Sequence, residues 1–208
     1  MSGLGWGWTA PTLMKLQDPE LGISITYEQA SWLASICEIG RVAGPLISPL
    51  ILDRVGRKYA VIIAASFYLI EWPMLFFLRD VHFILLARLI FGMTDGFHDV
   101  VASIYITENC STRIREIMGC MMNIIFQAGF VKESIIATYL SYDNTIIVNG
   151  MISLCAYITL CLCIETPSFS IMKNKYNDAK KNLEWLHVGL SQEQLACELA
   201  KLEKTVRE

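Results

Sequence analysis

Asp53-Arg54-Val55-Gly56-Arg57-Lys58 separates two long apolar runs, Tyr27 to Leu52 and Tyr59 to Leu78. A helix rises about 1.5 Å per residue, so roughly 20 apolar residues cross the ~30 Å hydrocarbon core of a bilayer, and both runs are long enough. Between them only a tight turn is available. Gly56 permits a backbone conformation closed to other residues, while Arg54, Arg57 and Lys58 place the turn on the cytoplasmic side by the positive-inside rule. Asp53, at the helix junction, can pair with a neighbouring arginine or cap a helix N-terminus. This segment decides for an all-α, polytopic transmembrane bundle.

Three further runs are long enough to span, Val81 to Ile106, Ile117 to Leu140 and Thr145 to Ile164, each closed by charged or turn residues. Thr26 and Gln29 have the spacing of a capping box opening the 27–52 span. Gly3 to Leu16 is apolar but too short to cross, and is expected to be the outer part of a first helix whose beginning is absent. It lacks the basic start and small-residue cleavage site of a signal peptide. Residues 1–166 thus form the bundle, with a partial helix 3–16 and full spans at 27–52, 59–78, 81–106, 117–140 and 145–164.

Arg113 and Arg115 follow the third full span, and Lys173, Lys175, Lys180 and Lys181 follow the last. They fall on the same side as the Asp53–Lys58 turn, which puts the C-terminal tail in the cytoplasm. In that tail, 167–208, Leu183, Leu186, Leu195, Leu199 and Leu202 recur at helical spacing among charges, predicting cytoplasmic amphipathic helices.

Composition agrees with a lipid environment. Of 208 residues 54% are hydrophobic and 18% charged, more apolar surface than a soluble domain of this length covers. The net charge of -3 indicates no nucleic-acid partner. Seven cysteines, mostly in apolar runs, read as small apolar fillers with no disulfide framework or zinc spacing. No phosphate-binding glycine loop or nucleophile–base motif is present, so no enzyme activity, metal or cofactor is expected.

Asp53-Arg54-x-Gly56-Arg57-Lys58 resembles the D-R-x-G-R-[RK] signature loop of the major facilitator superfamily, at every fixed position. Arg88-x-x-x-Gly92 resembles the element opening the fourth helix of its sugar porters. Tyr105-x-x-Glu108 with Arg115 resembles their Y-x-x-E…R-G segment, with Glu116 in place of the glycine and Ser103 where a proline usually precedes the tyrosine. Glu165-Thr166-Pro167 resembles the P-E-S/T-P-x-x-L element after helix six, with Ile164 in place of the first proline. Ala179 to Leu186 resembles the E-A-x-x-x-L-x-W-L helix that follows. With Gly7-Trp8-Thr9-Ala10-Pro11 and Glu28-Gln29-Ala30-Ser31-Trp32, the wording is most similar to insect facilitated trehalose and hexose transporters.

The resemblance covers essentially the whole chain and implies the N-terminal six-helix half of a carrier, with the second half missing and the solute site between halves at mid-membrane. It implies transport of a sugar, hexose or trehalose, by alternating access in the plasma membrane. Partners would be a carbohydrate, the lipid bilayer, and a C-terminal transporter half or a second copy. The rival reading is a truncated, non-transporting paralogue acting as an interaction or regulatory subunit.

By resemblance, Asp53, Arg54, Arg57, Glu108, Arg115 and Glu165 form a cytoplasmic ion-pair network remade as the halves rock. The alternative for the arginines is topology alone. Asn123, six residues before Gly129, stands where sugar porters place an amide on the sugar, with Gln127 one turn on. Bonding between neighbouring helices is the alternative for both. Trp8 can stack on a sugar ring or serve as packing. Charges within spans should face inward and toward each other: Glu38 with Arg41 as an intrahelical pair, Asp95 with His98 or Asp99 with Lys132 as proton carriers or cavity-lining groups, and Lys132 and Glu133 in the fifth span.

Overall fold

A computed structural model describes residues 1–16, 25–110, 112–173, 175–186, 199 and 203 of the chain. Their helices are α1 (Ser2–Leu16), α2 (Tyr27–Val55), α3 (Arg57–Phe77), α4 (Val81–Asn109), α5 (Thr112–Tyr139), α6 (Tyr142–Cys161), α7 (Pro167–Met172) and α8 (Tyr176–Leu186). Among the described residues, α2, α3, Ile114–Tyr139 of α5, and α6 are long and apolar enough to cross a membrane. α4, bearing Arg88, Asp95 and Asp99, does not reach that apolarity.

Several helices outrun their apolar runs: α2 continues to Val55, α4 to Asn109, and α5 begins at Thr112. Apolarity marks the segment that meets hydrocarbon, whereas a helix stops where its caps are. Thr26 Oγ1 accepts from the Gln29 N–H at 3.2 Å and Gln29 Oε1 from the Thr26 N–H at 2.9 Å, so α2 opens on the expected capping box. Asp80 Oδ1 accepts from the His82 N–H at 2.8 Å and opens α4. Within α2, Pro49 has no N–H to give the Pro45 carbonyl one turn back, and the Ser48 hydroxyl donates to that carbonyl instead, at 2.8 Å.

Two parallel pairs form the bundle's frame, α2 along α4 and α1 along α5, with α3 packed against α4 and α6. Lipid tails are as apolar as leucine, so close packing and hydrogen bonds, rather than exclusion of water, hold such helices together. Glycines four apart supply that closeness. Cβ atoms added at Gly40 and Gly44 would lie 2.5 Å from Leu89 O and 2.3 Å from Met93 O, and at Gly92 and Gly96 2.0 Å from Cys37 O and 2.2 Å from Arg41 O. On α1, Gly3 and Gly7 meet Phe126 O and Phe130 O of α5 in the same manner, at 2.2 and 2.6 Å. Glycines at this spacing were not singled out in the sequence, although the pattern is the signal that marks both helix contacts.

Behind the frame, the Trp72 indole donates to Ser153 Oγ at 2.9 Å, joining α3 to α6, and Tyr142 donates its hydroxyl to Leu75 O at 3.2 Å. Leu33, Trp72, Leu75, Ile84 and Ile146 pack around them. A second cluster, Leu52, Ala60, Ala64, Phe97 and Val101, fills the end nearer Gly56. Outward, Val42, Leu46, Ile124, Ile125 and Leu162 are exposed, the inverse of a water-soluble pattern.

After α6, Thr166 caps α7 by accepting from the Phe169 N–H at 3.3 Å, and Pro167 takes the first turn, where its missing N–H costs nothing. α8 lies against α7 through buried Ala179 and Leu183. The expected helical positions Leu195 and Leu202 lie outside the described residues.

Candidate functional site

Gly56 closes α2 and opens α3 with φ 100°, a conformation that costs glycine nothing. It is also crowded: an added Cβ would sit 2.6 Å from Glu165 Oε2 and 2.7 Å from the Phe169 ring. The turn is therefore seated on the segment that follows α6. Glu165 Oε1 accepts from the Lys58 N–H at 3.0 Å and from the Thr166 N–H at 2.9 Å. One carboxylate thus caps α3 and braces α7, placed at the positive end of the α3 dipole.

Next to it, Arg57 donates from Nε to Glu108 Oε1 at 2.9 Å, and its Nη2 lies 2.9 Å from the same oxygen. The pair is 10% and 17% exposed, and the guanidinium stands over the Phe169 ring at 5.5 Å. Tyr105 donates to Ile164 O at 2.8 Å and Arg115 to Thr107 O at 2.8 Å. The α2–α3 turn, the end of α4 and the start of α7 are thus locked by contacts far apart in sequence. Arg57 Nη1, Glu108 Oε2, Glu165 Oε2 and Arg115 Nε remain buried without a partner, so the cluster has unused bonding capacity.

Three of the expected network residues stand otherwise. Asp53 and Arg54 are exposed and make no ion pair among the described residues, because the helix end turns them outward; the capping role open to Asp53 belongs to Glu165. Arg115 binds a carbonyl and, among the described residues, no carboxylate.

Arg88 and Gly92 lie elsewhere. Arg88 is 20 residues before Glu108 on α4, about 30 Å along the axis. Its guanidinium donates to Gly5 O at 2.9 Å and to the Thr9 hydroxyl, and lies 3.5 Å from Glu71 Oε1, with both side chains 1% exposed. Trp8 and Phe91 rings flank it at 5.2 and 4.7 Å. Glu71 was not singled out in the sequence, although it is the one carboxylate inside α3 and an intramembrane acid calls for a partner. Gly92 serves the α2–α4 contact.

Trp8 is 3% exposed, beneath Tyr142 and Arg88. It offers no face to a solute; its role is packing. Asn123 and Gln127 are exposed on α5, Asn123 donating back to Gly119 O of its own helix at 3.1 Å.

The mid-span charges find different partners from those expected. Arg41 reaches Asp99 of α4 at 2.8 Å and approaches Asp95 at 3.7 Å, in place of Glu38, since a long guanidinium stem spans two closely packed helices. Asp95, fully buried, accepts from Tyr68 at 2.8 Å, from the Trp6 indole at 2.8 Å and from the Ser2 hydroxyl. His98 bonds to neither aspartate; its ring meets Tyr68 edge-on. Lys132 pairs with Asn149 Oδ1 at 3.4 Å and Glu133 Oε2 at 3.8 Å, not with Asp99, and Asn149 donates to the buried Glu133 at 2.7 Å.

The arrangement supplies one locked end and one deep polar cluster in a membrane bundle, and no metal-ligand group is present among the described residues. The family model described as sugar (and other) transporter matches residues 11–208. The chain belongs to this family. It is 25% identical over 187 residues to a facilitated trehalose transporter of Apis mellifera ligustica, covering 89% of this chain and 37% of that protein. Against the mouse solute carrier family 2, facilitated glucose transporter member 8, identity is 24%, covering 86% and 35%. The chain thus spans little more than a third of these relatives.

Among solved structures, the proton:xylose symporter XylE bound to 6-bromo-6-deoxy-D-glucose aligns with TM-score 0.74 at 17% identity, covering 99% of this chain and 51% of that one. The inward-open xylose transporter XylE from E. coli aligns with TM-score 0.74 at 16% identity, covering 100% and 54%. At that identity the likeness establishes the fold alone, matched over about half of each of those chains.

Proposed function

We propose that the chain is the N-terminal half of a carrier that moves a hexose or trehalose across the plasma membrane by alternating access, with the Gly56 end and the C-terminal tail in the cytoplasm. The observation that carries the reading is the lock built by Arg57, Glu108 and Glu165. It joins three segments at one end of the bundle and holds buried guanidinium and carboxylate atoms without partners, bonding capacity that a rearrangement of this end between facing states would take up. A gate must hold one facing state and release it, and ion pairs of about 1 kcal/mol each, in small number, bias a two-state equilibrium tenfold without freezing it. Asn123 and Gln127, exposed on α5, supply uncharged donors and acceptors suited to hydroxyls.

The test is complementation. Cells lacking their own sugar carriers would express this chain with a C-terminal half from a related transporter, and labelled glucose and trehalose exchange would be followed. Saturable exchange supports the reading; none, with both halves inserted in the membrane, refutes it.

A further inference from the structure

Arg41 is the midpoint of the 29-residue α2, about 21 Å from either end. Its side chain is 43% exposed and that of its partner Asp99 48%. A half-open ion pair at this depth is costly against hydrocarbon, and such groups face protein or a watered cavity. This pair is also held from behind. Arg41 is bonded to Asp99, drawn toward buried Asp95 and seated over the Trp6 ring at 5.5 Å, while Asp95 is fixed by Tyr68, Trp6 and Ser2. Three helices besides α2 thus orient one exposed guanidinium and one exposed carboxylate, a pre-set polar contact rather than a loose surface pair.

Among the described residues, the outward-facing valences are complementary. Asp99 spends Oδ2 on Arg41 and keeps Oδ1; Arg41 uses Nη2 and points Nε at Asp95, keeping Nη1. One free acceptor beside one free donor matches adjacent hydroxyls, each of which can give and take a hydrogen bond. The surroundings are negative: against Arg41 and the Met1 amino group, which interacts with Asp95, stand Glu38, Asp95 and Asp99, and Lys132, which also acts on that amino group, is offset by its partner Glu133.

We propose that Arg41 and Asp99 form a polyol-binding contact, Asp99 accepting from one solute hydroxyl and Arg41 donating to its neighbour, and that the surrounding charge selects neutral or amine-bearing sugars over sugar acids. This deepens the carrier reading and rests on it.

The test measures ligand binding to the purified 208-residue chain in lipid nanodiscs by saturation-transfer NMR, with glucose, glucosamine and glucuronate. Expected are saturable glucose binding, glucosamine at least as tight, and glucuronate weaker by about tenfold or more. Asp99→Asn should weaken glucose about tenfold and abolish any advantage of glucosamine, whereas Asp99→Glu should retain both. Helical circular dichroism shows whether each variant folds; should Asp99→Asn fail to fold, the order of the three ligands on the unaltered chain still decides. No saturable glucose binding, glucuronate bound as tightly as glucose, or full binding by folded Asp99→Asn overturns the contact. The carrier reading fails on other evidence, an absence of exchange by the two halves together.

Discussion

Glu165 Oε1 accepts the backbone N–H of Lys58 at 3.0 Å across 107 residues of chain. The first turn of α3 is therefore capped by the segment that leaves α6, and the α2–α3 turn is tied to the chain's exit from the bundle. Removing the carboxylate should loosen both helices. Glu165→Ala is expected to lower stability by about 1 kcal/mol and to speed hydrogen exchange at the Lys58 and Thr166 amides, with Glu165→Gln intermediate because it keeps an acceptor without the charge. Unchanged exchange at both amides in the alanine variant would show that the cap does not hold.

Glycine substitutions separate contact from conformation. Gly92→Val places side-chain atoms where Cys37 O already stands, 2.0 Å from the first added carbon, and should cost about 3 kcal/mol or prevent α2 and α4 from pairing. Gly119→Ala, with nothing within 4 Å, should be neutral or gain up to about 1 kcal/mol from helix propensity. Unfolding of the purified variants in graded denaturing detergent measures both. Similar stability for the two would contradict the close α2–α4 packing.

Among the described residues, Arg88 and Glu71 form the most buried ion pair, each 1% exposed. Arg88→Met strands a buried carboxylate and should destabilise by about 3 to 5 kcal/mol, as should Glu71→Leu through the opposite charge. The double substitution should recover most of that loss, since the desolvation cost disappears with both charges. Additive losses in the same unfolding assay would show that the two groups act independently.

Orientation is open to direct labelling. A glycosylation acceptor on a long linker at Asp143 should be modified in the lumen during synthesis, whereas one after Lys173 should stay unmodified. Modification of both, or of the second alone, would refute the placement of the Gly56 end in the cytoplasm.

The helices α2, α3, α5 and α6 were legible because hydrocarbon imposes length and apolarity on any chain that crosses it, whereas α4, with Arg88, Asp95 and Asp99, falls short of that apolarity; the signature turn at Gly56 was legible because its glycine and basic residues act locally. Partners were not. Glu38 and Arg41 obey the one-turn spacing rule, yet Arg41 crosses to Asp99, since tight glycine packing brings α4 within its reach. Asp53 stood nearest the α3 terminus in sequence, but Glu165 arrives there through the fold. Glu71 carried a signal, a lone acid in an apolar span, that pointed to Arg88 without identifying it.

Purified chain in liposomes, alone and with a C-terminal half from a related transporter, would be assayed for uptake of radiolabelled trehalose and glucose against empty liposomes. In the proposed carrier, one bundle supplies one wall of a site that alternating access would build from two. No uptake above background by the chain alone, and saturable uptake by the pair, is the predicted result. Saturable uptake by the chain alone, in proportion to its amount, would contradict the account of it as half of a carrier.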